Sequence, residues 1–100
     1  MKKYQIPWEV GSIFICTKCG IKYDNQHLAE DVKKQLRKDL KESDSNKKIR
    51  VITSGCLNVC YPDEQTFAFM PNNGETEIYT AELKEKTVYD EIRKLIKKKL

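Results

Sequence analysis

The sequence predicts a single α/β domain: a four-stranded mixed sheet in the order β-α-β-β-β-α, with its helices packed on it. Three observations point there. Short runs rich in β-branched and aromatic residues occur at 11–16, 48–53 and 65–70. Two longer segments repeat apolar residues every three or four positions among charged ones. Asn73-Gly74 follows one strand-like run and precedes another, a strong short-range hairpin signal. A chain of 100 residues has room for one modest core, so residues 1–100 are read as one domain.

In chain order, Gly11-Ser12-Ile13-Phe14-Ile15-Cys16 reads as a short buried strand. A polar loop from Gly20 to Asn25 follows. Leu28, Val32, Leu36 and Leu40 then mark one face of a helix, capped by Asp24 or Asn25 and ending near Ser43. His27 belongs to its first turn and points outward. After the loop Ser43–Asn46, Lys48–Thr53 is the second strand and Ser54-Gly55 follows it. Gln65–Met70 is the third strand, with Phe67, Phe69 and Met70 read as core residues. Pro71–Gly74 turns the chain and Glu75–Thr80 returns as the fourth strand. Thr87 caps the last helix, with Asp90 three residues on, and Val88, Ile92, Leu95, Ile96 and Leu100 form its apolar face. In the first ten residues Tyr4, Ile6, Trp8 and Val10 alternate, as an edge strand or a docked arm would. The opening strand–helix–strand unit implies a parallel pair with a right-handed crossover. The last three strands then share one mixed sheet, which is a thioredoxin-like plan.

Composition narrows the function classes. The chain is 39% hydrophobic and 34% charged, and its apolar runs fall far short of the roughly 20 residues a bilayer requires. Met1-Lys2-Lys3 is basic, but Pro7, Trp8 and Glu9 stand where a signal peptide would carry its apolar stretch. The expectation is a cytoplasmic protein in a reducing compartment. The net charge is +4. Lys33, Lys34, Arg37, Lys38 and Lys41 form one basic cluster, and Lys94, Lys97, Lys98 and Lys99 form another. With Glu30, Asp31, Asp39 and Glu42 interspersed, they read as solvated helix faces, not as a nucleic-acid surface. No paired carboxylates or nucleophile–base set stand out. Four glycines leave little room for a phosphate-cradling loop, so a hydrolase or kinase has no support.

The chemistry lies in the cysteines. All four occur in two tight pairs, Cys16-Thr17-Lys18-Cys19 and Cys56-Leu57-Asn58-Val59-Cys60. Both pairs follow predicted strands, at the carboxyl edge where open α/β sheets favour ligand sites. The first pair is expected on a tight turn, with Gly20 freeing the backbone. The i, i+4 spacing of the second would place Cys56 and Cys60 on one face of a helical turn. Three chemistries suit such a set. A two-iron, two-sulfide cluster takes four cysteines, two per iron. A structural zinc takes four thiolates in tetrahedral geometry, and Cys16-Thr17-Lys18-Cys19-Gly20 has a zinc-knuckle look. A dithiol oxidoreductase would use one Cys-x-x-Cys and leave the second pair unexplained. A single histidine excludes a Rieske-type site. Lys18 is either an exposed loop lysine or a charge that offsets the thiolates. Pro62 is read as an ordinary trans proline in preference to a cis proline facing the cysteines.

Ile15-Cys16, Ser54-Gly55-Cys56-Leu57-Asn58-Val59-Cys60, Phe67-Ala68-Phe69-Met70-Pro71, Gly74, Tyr79 and the final amphipathic helix together resemble the thioredoxin-like [2Fe-2S] ferredoxins. The resemblance runs from about Gly11 to Leu100. It implies a [2Fe-2S] cluster on Cys16, Cys19, Cys56 and Cys60, one-electron transfer or cluster carriage to a redox partner protein, and a homodimer. It implies an electron carrier or metal-binding protein rather than an enzyme. The short first pair departs from that family's wider spacing, and Tyr61-Pro62 stands where a Gly-Pro usually follows the fourth cysteine. Small predicted metal-binding proteins with a Cys-x-x-Cys and a later Cys-Leu-x-x-Cys are similar in the first respect. The alternative reading is a binding module stabilised by zinc on the four cysteines, whose basic helices contact an acidic partner or nucleic acid.

Overall fold

A computed structural model describes the backbone of residues 1–22 and 25–100 and the side chains of residues 1–19 and 25–100. The strands are β1 (Gly11–Cys16), β2 (Ile49–Ser54), β3 (Glu64–Pro71) and β4 (Glu77–Glu82), in one sheet ordered β2-β1-β3-β4. The helices among the described residues are α1 (Thr17–Lys22), α2 (Leu28–Glu42) and α3 (Glu85–Lys99). β1 and β2 are parallel, whereas β3 is antiparallel to both β1 and β4. The chain is therefore α/β with an open mixed sheet, as the sequence predicts. No helix among the described residues is long and apolar enough to cross a membrane.

Strand alternation sorts the sheet into two faces. Ile13, Ile15, Val51, Phe67 and Phe69 point to one side and are buried under α2 and α3, which pack against each other. Leu28, Val32, Leu36 and Leu40 of α2 and Val88, Ile92 and Ile96 of α3 complete that core. On the opposite face the register aligns Ile52, Phe14, Ala68 and Ile78 in one row across all four strands. Gly11 is required at the start of β1, because a Cβ there would lie 2.6 Å from the Met70 carbonyl oxygen.

Several local expectations are corrected. Gly20–Lys22 continue helix α1 instead of a loop, so the first cysteine pair lies at a strand–helix junction and not on a tight turn. Helix α2 has His27 as its N-cap without a side-chain cap bond, and the Asn25 carbonyl accepts the Leu28 N–H at 3.3 Å; Asp24 lies outside the described residues. Helix α3 starts earlier than Thr87, with Lys84 as N-cap, so Thr87 is inside the first turn. β4 begins at Glu77 and runs to Glu82, two residues beyond the expected end. Met70 faces away from the helices and is exposed, because β3 alternates and Phe67 and Phe69 occupy the inner face. Leu100 ends the chain exposed. Residues 1–10 form no strand. Residues 8–10 are instead a docked arm: Glu9 and Val10 donate backbone N–H groups to Lys47 and Lys48 carbonyls, Asn72 Nδ2 donates to Trp8 O at 2.8 Å, and the Arg50 guanidinium lies 3.8 Å from the Trp8 ring centroid. No cis peptide bond is present among the described residues, Tyr61–Pro62 included.

Candidate functional site

The parallel pairing of β1 and β2 sets both cysteine pairs at one edge of the sheet. Cys16 is the last residue of β1 and lies in register with Ser54, the last residue of β2. The chain beyond Cys16 enters α1, and the chain beyond Ser54 enters the irregular segment 55–63. Thr17 Oγ1 donates to the Ser54 carbonyl at 2.9 Å and ties the two exits together.

The two pairs differ in setting. Cys16 and Cys19 are 1% and 3% exposed, whereas Cys56 and Cys60 are exposed. Cys16 and Thr66 are the neighbours that act on the Cys19 thiol. Burial pushes the Cys19 thiol up from its ordinary value. The Thr66 contacts pull the other way, and the neighbouring Cys16 adds to the rise. In the second pair, Asn58 adopts φ 63°, in the left-handed region that asparagine tolerates. That turn aims the Asn58 N–H at Cys56 Sγ, 3.3 Å away. The i, i+4 helical turn expected at Cys56–Cys60 does not form, because this local sulfur bond and the left-handed Asn58 replace it.

Gln65 and Thr66 at the start of β3 connect the pairs, and both are fully buried. Gln65 Nε2 donates to Cys16 O at 2.7 Å and Thr66 O at 2.9 Å, leaving Oε1 buried with no hydrogen-bond partner among the described residues. Thr66 Oγ1 donates to the Val59 carbonyl at 2.6 Å. The segment 55–63 is thus pinned at Ser54, at Val59, and at Asp63, whose carbonyl accepts the Leu83 N–H at 2.9 Å. Sequence reading places Gln65 and Thr66 in a strand and assigns them no part in the site. Their only signal is two polar residues that continue directly into the buried Phe67-Ala68-Phe69 run.

The donor set suits a metal–thiolate centre. It has four thiols in two close pairs at one edge, and in the second pair the Cys56 sulfur accepts a backbone N–H, the kind of contact that stabilises thiolates and tunes metal–sulfur centres. The pairs are not gathered at one point, since no three Cys, His, Asp or Glu side chains among the described residues form a ligand group. Lys18 is exposed between Cys16 and Cys19, and His27 is exposed at the start of α2. No known protein family, curated protein or solved structure matches this chain.

Proposed function

We propose that this protein carries a [2Fe-2S] cluster on Cys16, Cys19, Cys56 and Cys60 and serves as a one-electron or cluster carrier to a redox partner protein, as a thioredoxin-like ferredoxin would. The observation that carries the reading is the register Cys16↔Ser54, which delivers both cysteine pairs to one carboxyl edge of parallel strands. Cys16 and Cys19 supply a buried half-site, whose Cys16 carbonyl accepts from Gln65 Nε2 at 2.7 Å. Cys56 and Cys60 supply an exposed half-site on an irregular segment that must swing to meet the first. When bound, the cluster supplies reversible one-electron chemistry. The chain's own residues exclude water from the inner pair, donate hydrogen bonds to sulfur, and place the positive charge of Lys18 between two ligands, which favours the reduced form.

The test is anaerobic purification, a visible spectrum, and iron, sulfide and zinc analysis of one sample. About two irons and two sulfides per chain with charge-transfer bands are expected. A Cys56→Ser protein should lose them. A colourless wild-type protein with about one zinc would replace this reading with the zinc-stabilised binding module.

A further inference from the structure

We propose that the free edge of β2 is a docking strand, which receives an extended acidic segment of a partner protein as a fifth strand of the sheet. On the carrier reading above, that partner is the redox protein the cysteines serve, but the docking itself requires no cluster. β2 stands at one end of the order β2-β1-β3-β4, and among the described residues its one ladder partner is β1. Alternate residues of a ladder strand turn their N–H and C=O groups to opposite sides, so an edge strand keeps one set open to a new strand. Beside this edge, on the helix side of the sheet, lies a cleft of about 230 Å³. Leu40, Ile49 and Val51 form its apolar floor, and Arg37, Lys41 and Asn46 complete its lining. Arg37 and Lys41 are exposed and have no carboxylate partner among the described residues, and none of the lining residues is acidic. Glu30, beside Thr53 near the other end of β2, is already paired with Lys33. The Arg50 guanidinium is also engaged, against the Trp8 ring and with its Nε donating to Ser12 Oγ at 3.3 Å. Cations over an apolar floor favour carboxylate side chains, and the open backbone favours an extended ligand. Side chains of an added strand alternate between the two faces. One set would meet Arg37 and Lys41, and the other would extend the outer row of Ile52, Phe14, Ala68 and Ile78. The segment that fits carries Asp or Glu at every second position, with β-branched residues between. β2 runs directly into Gly55 and Cys56, so a strand seated on it has one end at the exposed cysteine pair.

The experiment titrates the full chain with a peptide of about nine residues that alternates Glu with Val or Thr. The same peptide with Lys for Glu, and a single-stranded thymidine oligonucleotide, are titrated beside it. Affinity is read by fluorescence anisotropy, and the seat by amide hydrogen exchange. The Glu peptide should bind about 10- to 100-fold more tightly than the Lys peptide, which sets like charges against Arg37 and Lys41. The double variant Arg37→Glu/Lys41→Glu, changed at exposed helix positions, should reverse that order. With the Glu peptide at about ten times its Kd, alternate amides of Ile49–Ser54 should exchange about tenfold more slowly, since they exchange from the unbound fraction. Equal affinity for the two peptides overturns the proposal, as does unchanged exchange along β2 with the Glu peptide bound. An oligonucleotide that binds more tightly than the Glu peptide and displaces it overturns the proposal in favour of a nucleic-acid partner. Should the double variant not fold, the two peptides on the wild-type chain make the same decision. A chain that holds no iron yet seats the Glu peptide along β2 removes the carrier reading and leaves the docking strand standing.

Discussion

The two cysteine pairs leave the same sheet edge and end in opposite environments. Cys16 and Cys19 are enclosed by a strand, a helix and β3, while Cys56 and Cys60 stand on irregular chain in contact with solvent. The difference follows from what each exit leads into. β1 is an interior strand, with β2 and β3 on either side, and α1 packs against α2 and β3 as soon as the strand ends. β2 is an edge strand, and its exit leads into irregular chain with pins at Ser54, Val59 and Asp63. A site assembled from such halves has one preorganised side and one adaptable side. A preorganised side lowers the ordering penalty of binding, and an adaptable side admits the ligand.

The sharpest way to break this contrast is thiol labelling of metal-free protein. Cys56 and Cys60 should react with iodoacetamide in the native state, while Cys16 and Cys19 should wait for local or global opening. Opening free energies range up to the full stability of a domain, so a rate ratio of about 10^3 to 10^5 is expected. Peptide-resolved mass spectrometry over a time course reads it directly. Similar rates at all four positions would mean that the inner pair is not enclosed in solution.

Stability should divide along the same line. Ile15, adjacent to Cys16, is fully buried between β2, β3 and the helices. Ile15→Ala should cost about 2–5 kcal/mol through lost burial and an unfilled cavity. Tyr61, adjacent to Cys60, is exposed, and Tyr61→Ala should stay within about 0.5 kcal/mol. Denaturant midpoints of the two variants provide the comparison, and equal losses would place the outer segment within the cooperative core.

Legibility in the sequence follows the same division. β1 is read residue for residue, since Ile13, Phe14 and Ile15 between Gly11 and Cys16 admit little else. The buried stripe of α2, at Leu28, Val32, Leu36 and Leu40, is equally plain, because periodic burial is a local property of the chain. The helical turn expected at Cys56–Cys60 fails because i, i+4 spacing permits a helix without favouring one. Asn58 takes the left-handed conformation, and its N–H turns to Cys56 Sγ. Met70 reads as core from its hydrophobicity, but the strand's period of two sends it outward. Thr66 and Thr17 escape notice for another reason. Their partners are the carbonyls of Val59 and Ser54, and no side-chain pattern encodes which distant carbonyl a hydroxyl will meet.

A smaller effect probes the inner half alone. Gln65→Leu would remove the donor to the Cys16 and Thr66 carbonyls and also Oε1, which has no partner among the described residues. The lost bonds destabilise and the removed buried acceptor offsets part of that loss, so a net loss of about 1 kcal/mol is expected. The informative readout is the labelling rate of Cys16, which should rise by more than that of Cys19, since the lost 2.7 Å bond is made to the Cys16 carbonyl. Equal rises would show that Gln65 supports the edge as a whole.

The smallest effect lies where the outer segment departs. Glu30 of α2 accepts the Thr53 hydroxyl at 2.9 Å and pairs with Lys33 at 2.7 Å, which fastens the end of β2 to the helix two residues before Gly55. Lys33, and after it Thr53, hold the Glu30 carboxyl below the ordinary glutamate range. A depressed carboxylate contributes stability above its unfolded value of about 4.3 and loses it as the pH falls through its lower folded value. Glu30→Gln should therefore be slightly less stable than wild type at pH 7, by under about 1 kcal/mol because the pair is partly exposed to solvent. The two proteins should converge in acid, and added salt should narrow the gap at neutral pH. If the gap instead persists with Glu30 protonated, the anchor of β2 is the Thr53 hydrogen bond and not the charge. The outer cysteine segment would then be held at its base as it is at its middle, by a threonine hydroxyl on a neighbouring oxygen.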